Sequence, residues 1–257
     1  MHVGSVRRIG LVCLTGVLLA GGTGCSGSKV TTKASNELPR YRVKTMAVVP
    51  FTTIATPQLR DQGDPFMSTP QSVRRSDISV GVPSNVEPPA RQTVTVPGSA
   101  AEKITQLFWV RLRHRAGLAV SSPGDSGRAV ASLGGDPLKT SPETTAAAVA
   151  KKLQLDAALI GQVLVYQERV GSRLGANPPA SVGFEIKVVA ADGQVLWVGN
   201  YYERQRPMTE DFMGFIHRWA FVTADELAEY GVDEVLKEFP FGAGGEKERA
   251  CDSSHRF

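Results

Sequence analysis

Two periods of apolar residues divide this chain. Val43, Met46, Val48, Val49 and Phe51 crowd into one short run closed by Pro50 and Phe51, the pattern of a buried strand. Ala101, Ile104, Phe108, Leu112 and Ala116 instead recur three and four apart, which predicts an amphipathic helix. Ala146, Val149, Ala150 and Leu153 form a second such stripe. A third starts at Leu227, is expected to break near Gly231, and resumes through Val232, Val235, Leu236 and Phe239. Ahead of each stripe stands a hydroxyl residue with glutamate three positions on: Ser99 with Glu102, Thr140 with Glu143, Thr223 with Glu226. Such a pair can satisfy two of the orphan N–H groups that open a helix.

Between the stripes lie further strands. Residues 118–121 follow Gly117, a natural helix stop, and 157–166 form a longer apolar run. Val182, Phe184, Ile186 and Val188 alternate with Gly183, Glu185 and Lys187, so one face is buried. Asp192-Gly193 then supplies a tight turn into 195–198. The order is β-α-β-α-β-β-β-α. It predicts an α/β fold with a single mixed sheet: the first three strands parallel through helical crossovers, the last two antiparallel, helices packed on the sheet.

The flanks read differently. Residues 1–24 are a leader, and 25–40, rich in Ser, Thr, Lys, Gly and Asn, read as a flexible tether with a typical reach of about 20 Å. The α/β domain spans 41–240 and is interrupted by 53–97, where Pro, Ser, Gln and Asp follow no period; a connection that long is expected to be a mobile insertion. Residues 241–257 read as a disordered tail. Nothing in the insertion alternates over the ~9–11 positions that a membrane-spanning β-strand needs.

In the leader, Arg7 and Arg8 precede an apolar stretch over 9–20 that Thr15 and Gly16 interrupt. It falls short of the ~20 residues of a spanning helix, and small residues then run into Cys25, the order of a secretory signal. Gly22-Thr23-Gly24-Cys25 resembles the lipobox of bacterial lipoproteins. That resemblance implies that Cys25 carries lipid and anchors the chain in a membrane. Ser26 is not the aspartate that retains such proteins at the inner membrane of enteric bacteria, so the expected location is the outer membrane, facing the periplasm.

Cysteine content agrees with this processing. Cys13 leaves with the leader and Cys25 is taken by lipid, so only Cys251 remains and no intramolecular disulfide can form. The fold must rest on its core. A net charge of +4, of which Arg7 and Arg8 belong to the leader, is no nucleic-acid footprint.

Candidate chemistry is sparse. The histidines after the leader are His114, His217 and His255, and none stands in a nucleophile–base pattern. His114 lies among Arg111, Arg113 and Arg115 at a predicted helix end, where cations offset the macrodipole or, on the alternative reading, face an anionic partner. Cys251 and His255 lack the further ligands of a metal site. Gly171 and Gly175 sit between two strands with no helix following, which suits a hairpin loop and not a phosphate cradle. Trp197, Tyr201 and Tyr202, with Phe212, Phe215 and Trp219, have core spacing; exposed together they would be an interface. No catalytic, cofactor-binding or metal residue is assigned, and no cofactor is expected.

Met46-Ala47-Val48-Val49-Pro50-Phe51, the 155–163 segment opening Leu155-Asp156-Ala157, and Asp192-Gly193-Gln194-Val195-Leu196-Trp197 together resemble a broad group of bacterial envelope lipoproteins. The group takes in relatives of the Tol translocation protein amino-terminal domain, penicillin-binding-protein activators and curli-secretion-type lipoproteins. It implies a non-catalytic envelope scaffold or assembly factor, with the membrane and envelope proteins as partners. The alternative is a subunit of an oligomeric secretion pore, and a hydrolase comes third.

Overall fold

The computed structural model describes residues 29–59, 93–134, 140–205 and 220–242. A seven-stranded mixed sheet forms its centre. Its strands are β1 (Val30–Ala34), β2 (Thr45–Val48), β3 (Thr52–Thr53), β6 (Ala119–Ser121), β7 (Ala157–Gln167), β8 (Ser181–Ala190) and β9 (Val195–Arg204). The order across the sheet is β1-β9-β8-β7-β2-β6, with β3 continuing the line of β2 along β7. β6, β2 and β7 run parallel, and β7, β8, β9 and β1 pair antiparallel, as the crossovers and hairpins of the sequence predict. β4 (Gln58–Leu59) and β5 (Thr93–Val94) form a separate small ribbon. It closes the base of the 53–97 insertion, whose residues 60–92 lie outside the described ones.

Among the described residues four α-helices cover the sheet: α1 (Gly98–Leu112), α2 (Pro123–Ala131), α3 (Pro142–Lys152) and α4 (Ala224–Lys237). The period-2 alternation of β8 sorts its side chains. Val182, Phe184, Ile186 and Val188 face a core completed by Phe108 of α1 and Leu227 and Val235 of α4; Val189 faces a second core with Ala146 and Val149 of α3 and Ala129 of α2. Phe108 meets Phe184 edge-on with centroids 5.7 Å apart, an arrangement that suits the ring quadrupoles.

Five expectations change. The 25–40 tether is not all tether, because Val30–Ala34 pairs along β9 and Leu38 is buried. Thr31, Thr32, Lys33 and Ala34 are exposed, so this edge strand gains from main-chain pairing and leaves no apolar pattern to read. Residues 123–131 add a helix, with Ser122 accepting from the Asp125 N–H and Pro123 at the first position, where its missing donor costs nothing. α4 runs unbroken through Gly231. Of the three caps, only Thr223 with Glu226 forms the reciprocal box; α3 is capped by Ser141, and Pro97 precedes α1 without a side-chain cap. Phe241, placed in the tail, is 3% exposed and packs on Phe239, so the core reaches past residue 240.

Candidate functional site

All four antiparallel strands meet one end of the sheet. Gln167, closing β7, pairs with Ser181, which opens β8 and also pairs with Arg204 at the close of β9; Val30, opening β1, pairs with Tyr201. This is the end at which the chain arrives from the leader. The Lys29 carbonyl accepts from the Tyr202 N–H at 3.0 Å, and its ammonium donates to Glu203 Oε1 at 2.9 Å. Glu203 is only 5% exposed, and its Oε2 accepts from the Tyr201 hydroxyl at 2.6 Å. A carboxylate so buried is tolerable because a cation and a hydroxyl share it. The chain is therefore fixed from Lys29 onward, and Cys25 Cα can lie no more than about 14 Å from Lys29 Cα.

Beside this clamp stands the α4 N-terminus. Thr223 and Glu226 cap it reciprocally, Glu168 Oε2 accepts from the Ala224 N–H at 3.0 Å, and Asp225 accepts from the Tyr166 hydroxyl and pairs with Lys103. Burial first, and then the bond to Asp225, push the Tyr166 phenol well above its ordinary range. The Lys103 and Tyr166 hydrogen bonds hold Asp225 below the usual carboxylate range, and the Thr223 N–H does the same for Glu226. These carboxylates are ionised acceptors committed to caps and pairs, and the phenol keeps its proton. The arrangement fixes a helix to a sheet end; it does not poise a nucleophile beside a base.

The loop between β7 and β8 rises from the same end as an ordered hairpin. Val170 N–H donates to Pro178 O at 2.9 Å, Asn177 N–H to Val170 O at 2.8 Å, and Ser172 N–H to Gly175 O at 2.8 Å. Gly171 supplies the left-handed backbone (φ 119°) from which the tip turns. Arg173 O accepts from the Phe221 N–H at 2.8 Å, and its guanidinium reaches Glu226 at 3.4 Å, tying the tip to the approach to α4. Leu174 at that tip is 91% exposed. The hairpin reading of this loop holds.

The basic cluster around His114 divides. Arg111 pairs with Asp233 of α4, and Arg115 donates to Leu236 O and Phe239 O at 2.9 Å each, so both lock α1 to the far end of α4. Arg113 stacks on Trp109 and donates to His114 Nε2 at 3.0 Å; both lie beyond the last turn of α1. The aromatic group divides as well: Trp197 and Tyr201 are core, while Tyr202 is exposed. Cys25, Phe212, Phe215, His217, Trp219, Cys251 and His255 lie outside the described residues. Among the described residues no group of three or more His, Cys, Asp or Glu could hold a metal ion, and no helix is long and apolar enough to cross a membrane.

An open groove of about 480 Å³ lies between α2 and α3, lined by Asp125, Arg128, Ser132 and Lys152. Its charges answer one another, for Arg128 pairs with Asp125 and Lys152 donates to Ser132 at 2.6 Å. The residues that sequence reasoning missed are Lys29, Glu203 and Leu174. Glu203 carried a signal: it shares the period-2 face of Tyr201 and Trp197, where a charge has to find a partner.

No protein-family model and no curated protein sequence matches the chain. Solved structures similar to it include the PelC dodecamer from Paraburkholderia phytofirmans, at 13% identity and TM-score 0.40, covering 80% of this chain and 94% of that one. The LpoB C-terminal domain from Salmonella enterica is 11% identical with TM-score 0.34, covering 64% and 85%. The lipoprotein GNA1162 from Neisseria meningitidis is 13% identical with TM-score 0.36, covering 68% and 91%.

Proposed function

We propose that this chain is an outer-membrane-anchored periplasmic lipoprotein, held through lipid on Cys25, that acts as a non-catalytic envelope scaffold or assembly factor. The observation that supports it best is the joining of leader to fold. An export signal ending at Cys25 is followed, four residues on, by Lys29, whose backbone and ammonium are both held by β9. A lipidated Cys25 would thus bring the sheet end close against its bilayer, with at most about 14 Å of chain between them. Such a short connection suits a protein that works at the membrane surface and is too short to carry the domain through the cell-wall mesh. The site beside the clamp agrees with a scaffold, since its ionised groups are engaged in caps and ion pairs.

Metabolic labelling with a clickable fatty acid tests the anchor. The wild type takes up label and Cys25→Ala does not; equal labelling of the two, or none in either, refutes it. Crosslinking in intact envelopes followed by mass spectrometry tests the role. Outer-membrane neighbours are expected, and dominant crosslinks to an inner-membrane synthase would overturn the placement.

A further inference from the structure

We infer that the β7–β8 hairpin tip, led by Leu174, is a bilayer-contact element that inserts into the lipid surface to which Cys25 is anchored. The inference rests on the lipidation of Cys25 proposed above and adds to it an orientation and a named contact.

Exposed apolar groups are not spread evenly over this molecule. Five large ones are exposed among the described residues: Leu133, Val170, Leu174, Tyr202 and Tyr230. Scattered singly they would need no explanation. Four of the five, however, lie at the end where the chain arrives from Cys25. Val170 and Leu174 belong to the hairpin that rises from the β7 and β8 ends. Tyr202 donates its N–H to the Lys29 carbonyl, and the Tyr230 ring has the Lys29 ammonium 5.9 Å from its centroid. Leu133 alone lies elsewhere, just past the C-terminus of α2, which runs back from the carboxyl end of β6.

The hairpin is also built to hold its tip outward. Three main-chain bonds close its arms, and Phe221 and Glu226 hold Arg173. An apolar side chain presented on an ordered tip gains from burial without a large ordering cost. Tyrosines set back from it suit the headgroup layer, where an amphipathic ring keeps one wet edge. Charge does not oppose the approach, because Glu168, Glu203, Asp225 and Glu226 at this end are each taken up by a cation, a backbone N–H or both. The tether limit makes lipid the favoured occupant: with Cys25 no more than about 14 Å from Lys29, the surface nearest this end is the bilayer itself.

The test uses the full-length, lipidated protein with Cys251→Ser, so that one introduced cysteine carries an environment-sensitive fluorophore. Leu174→Cys and, as control, Leu133→Cys are reconstituted into phosphatidylethanolamine/phosphatidylglycerol vesicles with and without shallow nitroxide-labelled lipid. Emission from position 174 should shift to the blue and fall at least about twofold with the quencher lipid, while position 133 stays unquenched. Fatty-acid label read on the same samples separates the two ideas. Unlabelled protein would refute the anchor; labelled protein with position 174 unquenched would refute the insertion and leave the anchor standing. A blue shift without lipid quenching would bury the tip against a second copy of the chain and also overturn it.

Discussion

The Thr45 hydroxyl donates to Asp156 Oδ2 at 2.9 Å and accepts from the Asp156 backbone N–H at 2.9 Å. The same carboxylate oxygen accepts from the Lys44 and Thr45 backbone N–H groups, at 2.9 and 2.8 Å. One aspartate thus stitches the start of β2 to the start of β7, where parallel pairing begins. Burial pushes the Asp156 carboxyl up, but the bonds from Lys44 and Thr45 outweigh it and hold the group below the usual carboxylate range. A depressed pKa contributes stability above the unfolded-state value, and that contribution is lost as pH falls through the folded one. Thr45→Val should cost about 1 kcal/mol at neutral pH, the usual net worth of such a bond. Denaturant unfolding over a pH series should show the gap between wild type and Asp156→Asn closing as the solution is acidified below the carboxylate range. A gap that is constant with pH would contradict this.

Arg115 ties two helix ends together at the opposite end of the fold. Its guanidinium donates to the carbonyls of Leu236, in the last turn of α4, and of Phe239, just beyond it, and lies 5.4 Å from the Phe239 ring centroid. Arg115→Leu keeps bulk but removes both charge-assisted bonds, and should destabilise by about 1.5–3 kcal/mol, as for bonds to a charged donor. Asp233→Asn, which weakens the more exposed pair with Arg111, should cost less than about 1 kcal/mol and lose its effect in high salt. Thermal unfolding at two salt concentrations distinguishes them.

The sheet centre was legible in the sequence because its strands bury apolar side chains: the 157–166 run and the alternation from Val182 to Val188 could be little else. β1 was not, since an edge strand with Thr31, Thr32 and Lys33 in water writes no burial pattern. α2 opens Pro123-Gly124 and carries no stripe of large apolar residues to announce it. The sheet end that carries the Lys29 clamp and the hairpin was hidden for a further reason. Exposure of Leu174 and proximity of Lys29 to Glu203 depend on which strand ends meet, and no local window contains both.

Gly231 shows the same limit in reverse. Its glycine reads as a helix break, yet α4 continues through it, and glycine fits there because an added Cβ would stand 2.3 Å from Tyr201 Cε1. Alanine is favoured over glycine in a helix by about 1 kcal/mol, so propensity alone predicts that Gly231→Ala stabilises. The clash should win. Tyr201 is 2% exposed with its hydroxyl held by Glu203, so the ring cannot step aside, and overpacking of this kind costs roughly 1–3 kcal/mol or more. Gly231→Ala should lower Tm, and Tyr201→Leu should turn the same substitution neutral or stabilising. Additivity in that double-mutant cycle would rule out the contact as the cause.

Lys29 carries the last prediction, because it joins the proposed anchor to the fold. Lys29→Met keeps the aliphatic stem but takes the cation from the Tyr230 ring and from the Glu203 carboxylate, which is 5% exposed and whose Oε2 accepts from the Tyr201 hydroxyl. Lys29 itself is 31% exposed, so water replaces part of what is lost and the cost should fall near 1–3 kcal/mol, below that of breaking a wholly buried pair. The damage should be local, since β1 contributes little side-chain burial and depends on its pairing with β9. Hydrogen exchange should therefore quicken about tenfold or more over Val30–Ala34, with β7 and β8 unchanged. Glu203→Gln with Lys29→Met removes the buried charge and should restore much of the protection. If β1 exchanges as slowly in Lys29→Met as in the wild type, the strand is held by its backbone ladder alone, and the clamp does not set how closely the domain can approach Cys25.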